Sequence, residues 1–232
     1  MGKRVAIIDA RCNATIIEQL HNYVEEVFLF KSEGITYESI SCHPDIFIYQ
    51  DADKLIIAPN APQELHDWLR QKGIVYIQGE SRIGTTLQDS CYYNCVATKN
   101  RFFHREGFTD SAVFNHNQRK EFIQLPQSYT RCSMLPLTEE TFITSDTGIH
   151  KALQKNGLTS FLFSPNEIQI AVHHNGFLGG TCGIADEKIF FLGNPLLHKD
   201  GERLYQFIEK SGLEIIPLCN EKLYDGGGIF FL

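Results

Sequence analysis

The feature that most constrains the fold of this chain is a short segment that recurs along it. Each copy has an amphipathic stretch that ends in a Lys, then a Gly, then an apolar run, and the clearest copies lie at 68–77, 153–162 and 208–216. A Gly at this point is typical of the left-handed residue that follows a helix, and a Lys in the last turn suits the negative end of the helix dipole. The segment therefore predicts a helix that passes directly into a strand. Because an internal repeat decides the fold of a whole chain, it is the first hypothesis to develop.

Two weaker copies extend the repeat. Near the N-terminus, Asn13 is a predicted N-cap for a helix at 14–23, which an apolar strand follows. In the middle of the chain, 108–117 is a predicted short helix with Asn117 in the position that Gly takes in the other copies. The apolar run that follows it supplies the strand.

A strand also precedes each helix, and a polar turn with a further strand precedes four of those strands. The strands before the helices are 5–8, 55–57, 102–103, 142–144 and 189–192, and the polar turns are 51–53, 98–100, 138–140 and 186–187. These turns are rich in the residues that turns prefer. The unit is therefore strand, turn, strand, helix, strand, and it occurs five times.

The two ends of the repeat complement each other. The first unit has no opening strand, whereas the Gly-rich segment 226–232 is a strand left over after the last unit. We expect this strand to complete the first unit and close a ring, which leaves no open repeat ends. The alternative is an open α/β sheet, in which strands and helices also alternate.

The composition limits the classes of function. No Pro-, Gly- or Ser-rich linker interrupts the units, so one domain over 1–232 is expected. The formal net charge of −7 argues against nucleic acid or an anionic membrane as the main partner. No apolar segment reaches the ~20 residues that a membrane-spanning helix needs. The seven cysteines, an odd number without a secretory signal, favour reduced thiols and a cytoplasmic location.

Metal-binding patterns are weak. Cys91 and Cys95 lie on a predicted strand, where a spacing of four residues is about 13 Å and too long for one metal. His173 and His174 are neighbours on another predicted strand and would point to opposite faces. These histidines, like His198, are expected at the surface. We expect neither a metal nor a cofactor.

Three motifs carry a resemblance to a known fold. They are SYTRCSM at 128–134, GFLGGTCG at 176–183 and LYDGGGIFFL at 223–232. Together with the closed five-unit ring they resemble the pentein fold, a five-fold pseudosymmetric α/β propeller, and an uncharacterised bacterial family within it. Penteins include guanidine-modifying enzymes (arginine deiminases, dimethylarginine hydrolases and amidinotransferases) and the non-catalytic ribosome anti-association factors.

The catalytic residues implied by that resemblance are largely missing. In the guanidine-modifying enzymes a Gly-rich C-terminal segment ends in a nucleophilic Cys, but here Phe230 or Phe231 occupies that position. The fourth unit of those enzymes opens with a His and, two residues on, a substrate-binding group that is often Asp. The matching residues here are Tyr129 and Arg131. Since Arg131 would repel a guanidinium substrate, we expect neither arginine deiminase nor dimethylarginine hydrolase activity.

Polar residues at the starts of the opening strands are the candidates for ligand binding, because in such a ring these strands line the central cavity. The candidates are His43, Asp45, Asn94, Arg131, Cys132, Thr181, Cys182 and Asp225. Asp45 and Arg131 form either a ligand-binding pair or a structural ion pair. Cys132 or Cys182 is either a nucleophile that His43 activates or an inert buried thiol.

These residues leave three functions open. The favoured one is a protein whose axial cavity binds a small anionic or zwitterionic metabolite, with Arg131 holding a carboxylate or phosphate. The second is a divergent amidinohydrolase-like enzyme that uses Cys182 or Cys132. The third is a protein-binding module, as in the anti-association factors, with its function on one face of the ring. The sequence indicates neither a catalytic set nor an oligomeric state.

Overall fold

The computed structural model describes residues 4–232 and contains five three-stranded sheets. In chain order the strands are β1 (Val5–Asp9), β2 (Glu26–Phe30), β3 (Ile48–Gln50), β4 (Leu55–Ile57), β5 (Ile77–Gln78), β6 (Val96–Ala97), β7 (Arg101–His104), β8 (Glu121–Gln124), β9 (Met134–Pro136), β10 (Thr141–Thr144), β11 (Thr159–Leu162), β12 (Cys182–Ala185), β13 (Lys188–Phe191), β14 (Glu214–Pro217) and β15 (Phe230–Phe231). The helices are α1 (Ala14–Leu20), α2 (Gln63–Gln71), α3 (Ser111–Asn117), α4 (Thr130–Ser133), α5 (Thr147–Lys155) and α6 (Gly201–Glu209).

Every sheet follows the predicted unit. An opening strand pairs antiparallel with the middle strand, a helix follows, and an outer strand then pairs parallel with the middle strand. The orders β3-β4-β5, β6-β7-β8, β9-β10-β11 and β12-β13-β14 give four of the five units. The prediction of a five-fold repeat is confirmed.

The C-terminal strand completes the first sheet. β15 pairs antiparallel with β1, with Phe231 opposite Ala6. Val5 N donates to Leu232 O (3.0 Å) and Leu232 N donates to Val5 O (2.9 Å), which extends the pairing to the last residue. The resulting order, β15-β1-β2, matches that of the other units, so the prediction of closure by this strand is confirmed.

Glycines end the three helices of the strongest repeat copies. Gly73, Gly157 and Gly212 have φ values of 68°, 72° and 78°, the left-handed conformation that favours Gly. A Cβ at any of them would meet nothing within 4 Å, so the requirement comes from the backbone and not from crowding. Lys72 and Lys210 are the C-cap residues of α2 and α6, as the repeat predicts.

The two weaker copies differ in detail from the prediction. The Asn13 side chain caps α1 by accepting from Ile16 N (2.9 Å), as predicted, but α1 ends at Leu20. The prediction for Asn117 is wrong, because this residue belongs to α3 and has no left-handed backbone. Its buried amide instead donates to Tyr49 Oη and to the backbone of its own helix, each at 2.9 Å. A buried amide with these partners has no reason to leave the helix.

Short helical turns, and not strand starts, carry most of the predicted site residues. A 3₁₀ turn spans Pro44–Ile46, α4 covers the Arg131 region, and another 3₁₀ turn spans Gly179–Thr181. Asn94 lies in a turn before β6. The predicted strand starts are therefore wrong at these positions. Pro44 at the first position of its turn favours this conformation, whereas a short apolar run alone does not separate a strand from a turn before it.

The strands predicted for the cysteine pair and for the histidine pair are also wrong. Cys91 and Cys95 lie in the irregular segment before β6, and His173 and His174 lie in a bend between β11 and β12. Within residues 4–232, no group of three or more His, Cys, Asp or Glu side chains is placed to hold a metal ion. None of the helices in this part of the chain is long and apolar enough to cross a membrane.

Candidate functional site

Five of the eight predicted residues meet in one buried cluster. His43, Asp45, Asn94, Cys132 and Asp225 are between 0% and 4% exposed. They come from the second, third and fourth units and from the segment before β15. Residues this distant in the chain meet because the ring brings the inner ends of its units together. We call these five residues the floor cluster.

A buried thiol links three members of the floor cluster. Cys132 Sγ donates to Asp45 Oδ2 (2.8 Å), and Asn94 Nδ2 donates to Cys132 Sγ (3.1 Å). The other end of the Asn94 amide accepts from Cys132 N (3.1 Å), which fixes the orientation of α4. Burial, together with the charge of Asp45, raises the pKa of Cys132 well above its ordinary value. Cys132 is therefore a protonated thiol at neutral pH.

His43 lies between two carboxylates without a hydrogen bond to either. Its Nε2 is 3.8 Å from Asp9 Oδ2, and its Nδ1 is 3.9 Å from Asp225 Oδ1. Neither ring nitrogen has a hydrogen-bond partner within residues 4–232. Burial lowers the pKa of His43, and the two carboxylates oppose that effect. Unpartnered buried nitrogens are costly, so they mark a place where a ligand or water belongs.

Asp225 and Asp45 are the other ionisable members. Asp225 accepts from Phe177 N (2.7 Å) and Gly227 N (3.2 Å), and burial raises its pKa to about 6. Burial likewise raises the pKa of Asp45 to about 6, and its Oδ1 has no hydrogen-bond partner in the described chain. Two carboxyl groups with raised pKa values are thus buried in the same cluster as one imidazole.

The glycine segment before β15 lets these groups approach one another. Gly227 has φ of 69°, and a Cβ there would lie 2.6 Å from His43 Cβ and 2.7 Å from Asp45 Oδ1. Both distances are too short for any side chain without a shift of the cluster. Gly at this position therefore serves the site as well as the backbone.

Asp9 belongs to the site although the sequence analysis missed it. It is fully buried at the end of β1, and its carboxylate accepts from Arg11 Nη2 (2.8 Å) and Tyr224 Oη (2.9 Å). The same side chain flanks His43. An acidic residue that ends an otherwise apolar strand, with Arg11 two residues later, was the signal that could have identified it.

A cavity of about 430 Å³ opens above the floor cluster. His43, Cys132 and Asp225 line its floor, and aromatic and aliphatic side chains form most of its walls. The wall and rim residues are Tyr37, Ile40, Tyr129, Ile170, His173, His174, Asn175 and Phe177. Tyr129 Oη is hydrogen-bonded to Ser90 Oγ (2.7 Å) and to Tyr37 Oη, which holds this wall in place.

Arg131 turns away from this cavity. Its Nη1 donates to Gly179 O (2.6 Å) and its Nη2 donates to Cys182 O (3.0 Å). The guanidinium carbon also lies 5.6 Å from the centroid of the Phe230 ring. The sequence analysis left Asp45 or a ligand as its partner, and backbone carbonyls take that place. Arg131 lines a separate depression of about 350 Å³ together with residues of β9, β12 and β15.

Thr181 and Cys182 are buried and bonded within their own segment. Thr181 Oγ1 donates to Leu178 O (2.7 Å), and Cys182 Sγ lies 3.5 Å from the same carbonyl. Burial raises the pKa of Cys182 to about 12, and its side chain does not line the 430 Å³ cavity. Of the two cysteines considered as nucleophiles, Cys132 is the one that faces the cavity.

Comparison with known proteins places this arrangement in a family. Residues 7–230 match the family described as "Family of unknown function (DUF6873)". The chain belongs to this family. No curated protein sequence matches it significantly.

Solved structures similar to this DUF6873 chain are guanidine-modifying enzymes. Agmatine deiminase from C. jejuni aligns with a TM-score of 0.58 at 7% identity, over 93% of this chain and 87% of that one. An amidinotransferase of the saxitoxin pathway from Microseira wollei gives 0.53 at 11%, over 94% and 88%. The dimethylarginine dimethylaminohydrolase (DDAH) of Pseudomonas aeruginosa, a C249S mutant complexed with citrulline, gives 0.51 at 9%, over 94% and 92%. This likeness shows the pentein fold and confirms the resemblance.

Proposed function

We propose that this DUF6873 protein binds a small zwitterionic metabolite in the 430 Å³ cavity, with the cationic group of the ligand against the floor cluster. The observation that carries the proposal is the combination of unpartnered His43 ring nitrogens, an unpartnered Asp45 oxygen and the Asp225 carboxyl at one buried place. The volume lies within the range of about 300–1,000 Å³ that small-molecule sites occupy.

The charges around the cavity favour a cation at its floor. Arg11 neutralises Asp9, and Arg131 is engaged by carbonyl groups, which leaves the carboxyl groups of Asp45 and Asp225. Asp225 lines the cavity, and Asp45 is joined to it through Cys132, which lines the floor. A buried carboxylate without a cation is costly, and an ammonium, amidinium or guanidinium group would relieve that cost. A purely anionic ligand would meet the same carboxylates as like charges. Of the two ligand charges that the sequence analysis favours, the zwitterionic one therefore suits the site better.

The walls and rim suit the rest of such a ligand. Aromatic rings of Tyr37, Tyr129 and Phe177 line the cavity, and their faces attract a desolvated cation. Asn175 is exposed at the rim, where its side-chain N–H groups can donate to a ligand carboxylate, and the nearby His173 Nε2 is hydrogen-bonded to Ser39 Oγ (3.1 Å). The polar groups lie at the floor and the rim, and aromatic and aliphatic side chains line the walls between them, as in small-molecule sites generally.

A second candidate is a divergent hydrolase that uses Cys132 as a nucleophile. The specific observation is that Cys132 lines the cavity with its Sγ 2.8 Å from a carboxylate that could accept its proton. The raised pKa of Cys132 opposes this function, because the resting thiol is not a nucleophile. Covalent modification of Cys132 during incubation with a cationic metabolite, detected by intact mass, would favour this candidate over reversible binding.

The thiols bear on location. All seven cysteines are free in the structure, and six of them are buried. Free thiols persist in reducing compartments. We propose the cytoplasm as the site of action.

The charge of the bound group is tested with matched ligand pairs. L-arginine and agmatine should raise the melting temperature of the protein, because a ligand that binds only the folded state adds about 2.7 kcal/mol of stability at a hundred times its Kd. L-citrulline, which has an uncharged urea group in place of the guanidinium, should raise it less, because its α-ammonium group is the one cation it can offer the floor cluster. Asp225→Asn keeps an acceptor for Phe177 N but removes the charge, and it should reduce the shift without eliminating binding.

A matched variant controls for a general effect of charge. Asp53 is exposed in the turn between β3 and β4, so Asp53→Asn should respond to L-arginine as the unmodified protein does. Equal shifts from L-arginine and L-citrulline would show that the floor cluster does not select the guanidinium group, and a full shift in Asp225→Asn would show that the Asp225 charge is not used. Asp45→Asn provides a second variant if Asp225→Asn does not fold.

A further inference from the structure

The floor cluster buries three ionisable groups together, and they cannot all take their usual charge at neutral pH without a cost. His43, Asp45 and Asp225 are each at least 99% buried, and His43 Nδ1 is 3.9 Å from an Asp225 oxygen. If both carboxyl groups were ionised and His43 neutral, two negative charges would be buried in one cluster, where the charge of Asp45 raises the pKa of Asp225. Such pairs retain a proton, because like charges disfavour full ionisation.

The surrounding elements supply little compensating charge. The other titratable or charged groups that interact with these residues or face them across the cavity are Asp9, Arg11, Cys132, Arg131, Cys182, Tyr37, Tyr129, His173 and His174. Arg11 is committed to Asp9 through hydrogen bonds from Nε and Nη2. Arg131 lowers the pKa of Asp45 through its charge, but its N–H groups donate to Gly179 and Cys182. Burial nevertheless keeps the pKa values of Asp45 and Asp225 raised to about 6 each.

We infer that the floor cluster holds a proton in the ligand-free protein and releases it to solvent when a cation binds, so that binding of the ligand is coupled to proton release. This inference rests on the proposed function, since it needs a cationic group at the floor. The exchange balances: one carboxyl O–H bond breaks, its proton passes to buffer, and the carboxylate left behind pairs with the incoming cation. The net charge of the cluster with its ligand is the same as that of the protonated cluster.

The sign of the effect follows from competition between the proton and the cation for one carboxylate. A guanidinium group stays charged across the accessible pH range, so only the protein changes its protonation. Lowering the pH protonates the carboxylate, and the ligand must then displace this proton in order to bind. For a group with a pKa of about 6, the affinity should be about tenfold weaker at pH 5 than at pH 7, and it should change little between pH 7 and pH 8.

The test is calorimetric titration of the protein with L-arginine and, separately, with agmatine, which lacks the carboxylate. The Kd should rise about tenfold from pH 7 to pH 5 for both compounds. At pH 6 the measured heat should depend on the protonation enthalpy of the buffer, with up to one proton released per ligand bound. Asp45→Asn should lose both dependences if Asp45 carries the proton, and Asp225→Asn should lose them if Asp225 does. Asp53→Asn should keep both.

The outcomes separate the two levels of the proposal. Binding with a Kd that is constant from pH 5 to pH 8 and with heats independent of the buffer overturns proton release while leaving the proposed function intact. Retention of the full pH dependence in both Asp45→Asn and Asp225→Asn also overturns it, because the proton would then belong to another group. Failure of both compounds to bind at any pH overturns the proposed function and this inference together.

Discussion

At the residue scale, the properties of the site depend on where protons are held. The thiol of Cys132 is protonated and donates a hydrogen bond to Asp45. The ring nitrogens of His43 have no hydrogen-bond partner in the described structure. The carboxyl groups of Asp45 and Asp225 have pKa values raised by burial to about 6. The stability of the protein should therefore report on them even without a ligand.

The first prediction concerns Asp45→Asn and pH. The pKa of Asp45 is raised from 3.8 to about 6, so its contribution to the free energy of unfolding decreases as the pH rises through this range and stays low above it. The cost reaches on the order of 3 kcal/mol for an uncoupled group, at 1.36 kcal/mol per pKa unit. Asn carries no charge, so the variant should gain stability relative to the unmodified protein between pH 4 and pH 8. Urea unfolding at these pH values measures the gain.

The comparison between the two proteins removes the effects of other titrating groups. His104, for example, is buried and its pKa is lowered to about 4, which destabilises both proteins equally as the pH falls below 6.5. A difference in unfolding free energy that stays constant from pH 4 to pH 8 would contradict a raised pKa at Asp45.

At the element scale, glycine has two separate uses in this fold. Gly212 ends α6 with φ of 78° and has open space around its Cβ position. Gly227 has a similar φ of 69°, but a Cβ there would press on His43 and Asp45. Gly212 allows the left-handed residue that ends a repeat helix. Gly227 allows the segment before β15 to pack closely against His43 and Asp45.

This difference gives a matched pair of variants. Gly212→Ala should cost about 1–2 kcal/mol of unfolding free energy, which is the cost of a left-handed conformation for an L-residue. Gly227→Ala should cost more, because the same conformational cost is joined by displacement of the His43 backbone and side chain. Chemical denaturation of both variants measures the two costs. Similar losses of unfolding free energy in the two variants would show that His43 and Asp45 can move to accommodate the added methyl group at no further cost.

At the scale of the whole molecule, a strand of two residues closes the ring. β15 contributes Phe230 and Phe231 to the first sheet, and Ile229 N donates to Cys182 O (3.2 Å) in the fifth unit. The C-terminal segment thus joins the first and last units. It also supplies Asp225 and Gly227 to the site, so closure of the ring and assembly of the floor cluster depend on one segment.

Removal of residues 226–232 should therefore destabilise the protein as a whole. The truncation exposes one edge of β1 and removes the buried side chains of Ile229, Phe230 and Phe231, each worth roughly 1.5–3 kcal/mol on burial. We expect a single unfolding transition at a much lower temperature, or no folded protein, by circular dichroism. A truncated protein that melts at the same temperature as the intact chain would contradict closure by β15.

The sequence by itself determined the repeat, the order of strands and of the five repeat helices, and the closure of the ring, but not α4 or the 3₁₀ turns. Local signals were sufficient there, because a left-handed glycine, a polar turn such as Asp186-Glu187 and an apolar strand each have a conformational cause within a few residues. The matching ends of the chain then specified how the units join.

Only the tertiary structure decided which polar side chains share a site. Arg131 and Cys132 are neighbours in the chain. Their side chains would point about 180° apart in a strand and about 100° apart in a helix. In α4 the second geometry holds, so Cys132 reaches the cavity while Arg131 reaches the carbonyls of Gly179 and Cys182. Asp9 was missed for a related reason: its role depends on His43 and Tyr224, which are far from it in the chain. Local sequence fixes a backbone conformation, but the partners of a buried polar group come from other units and are known only once the ring has closed.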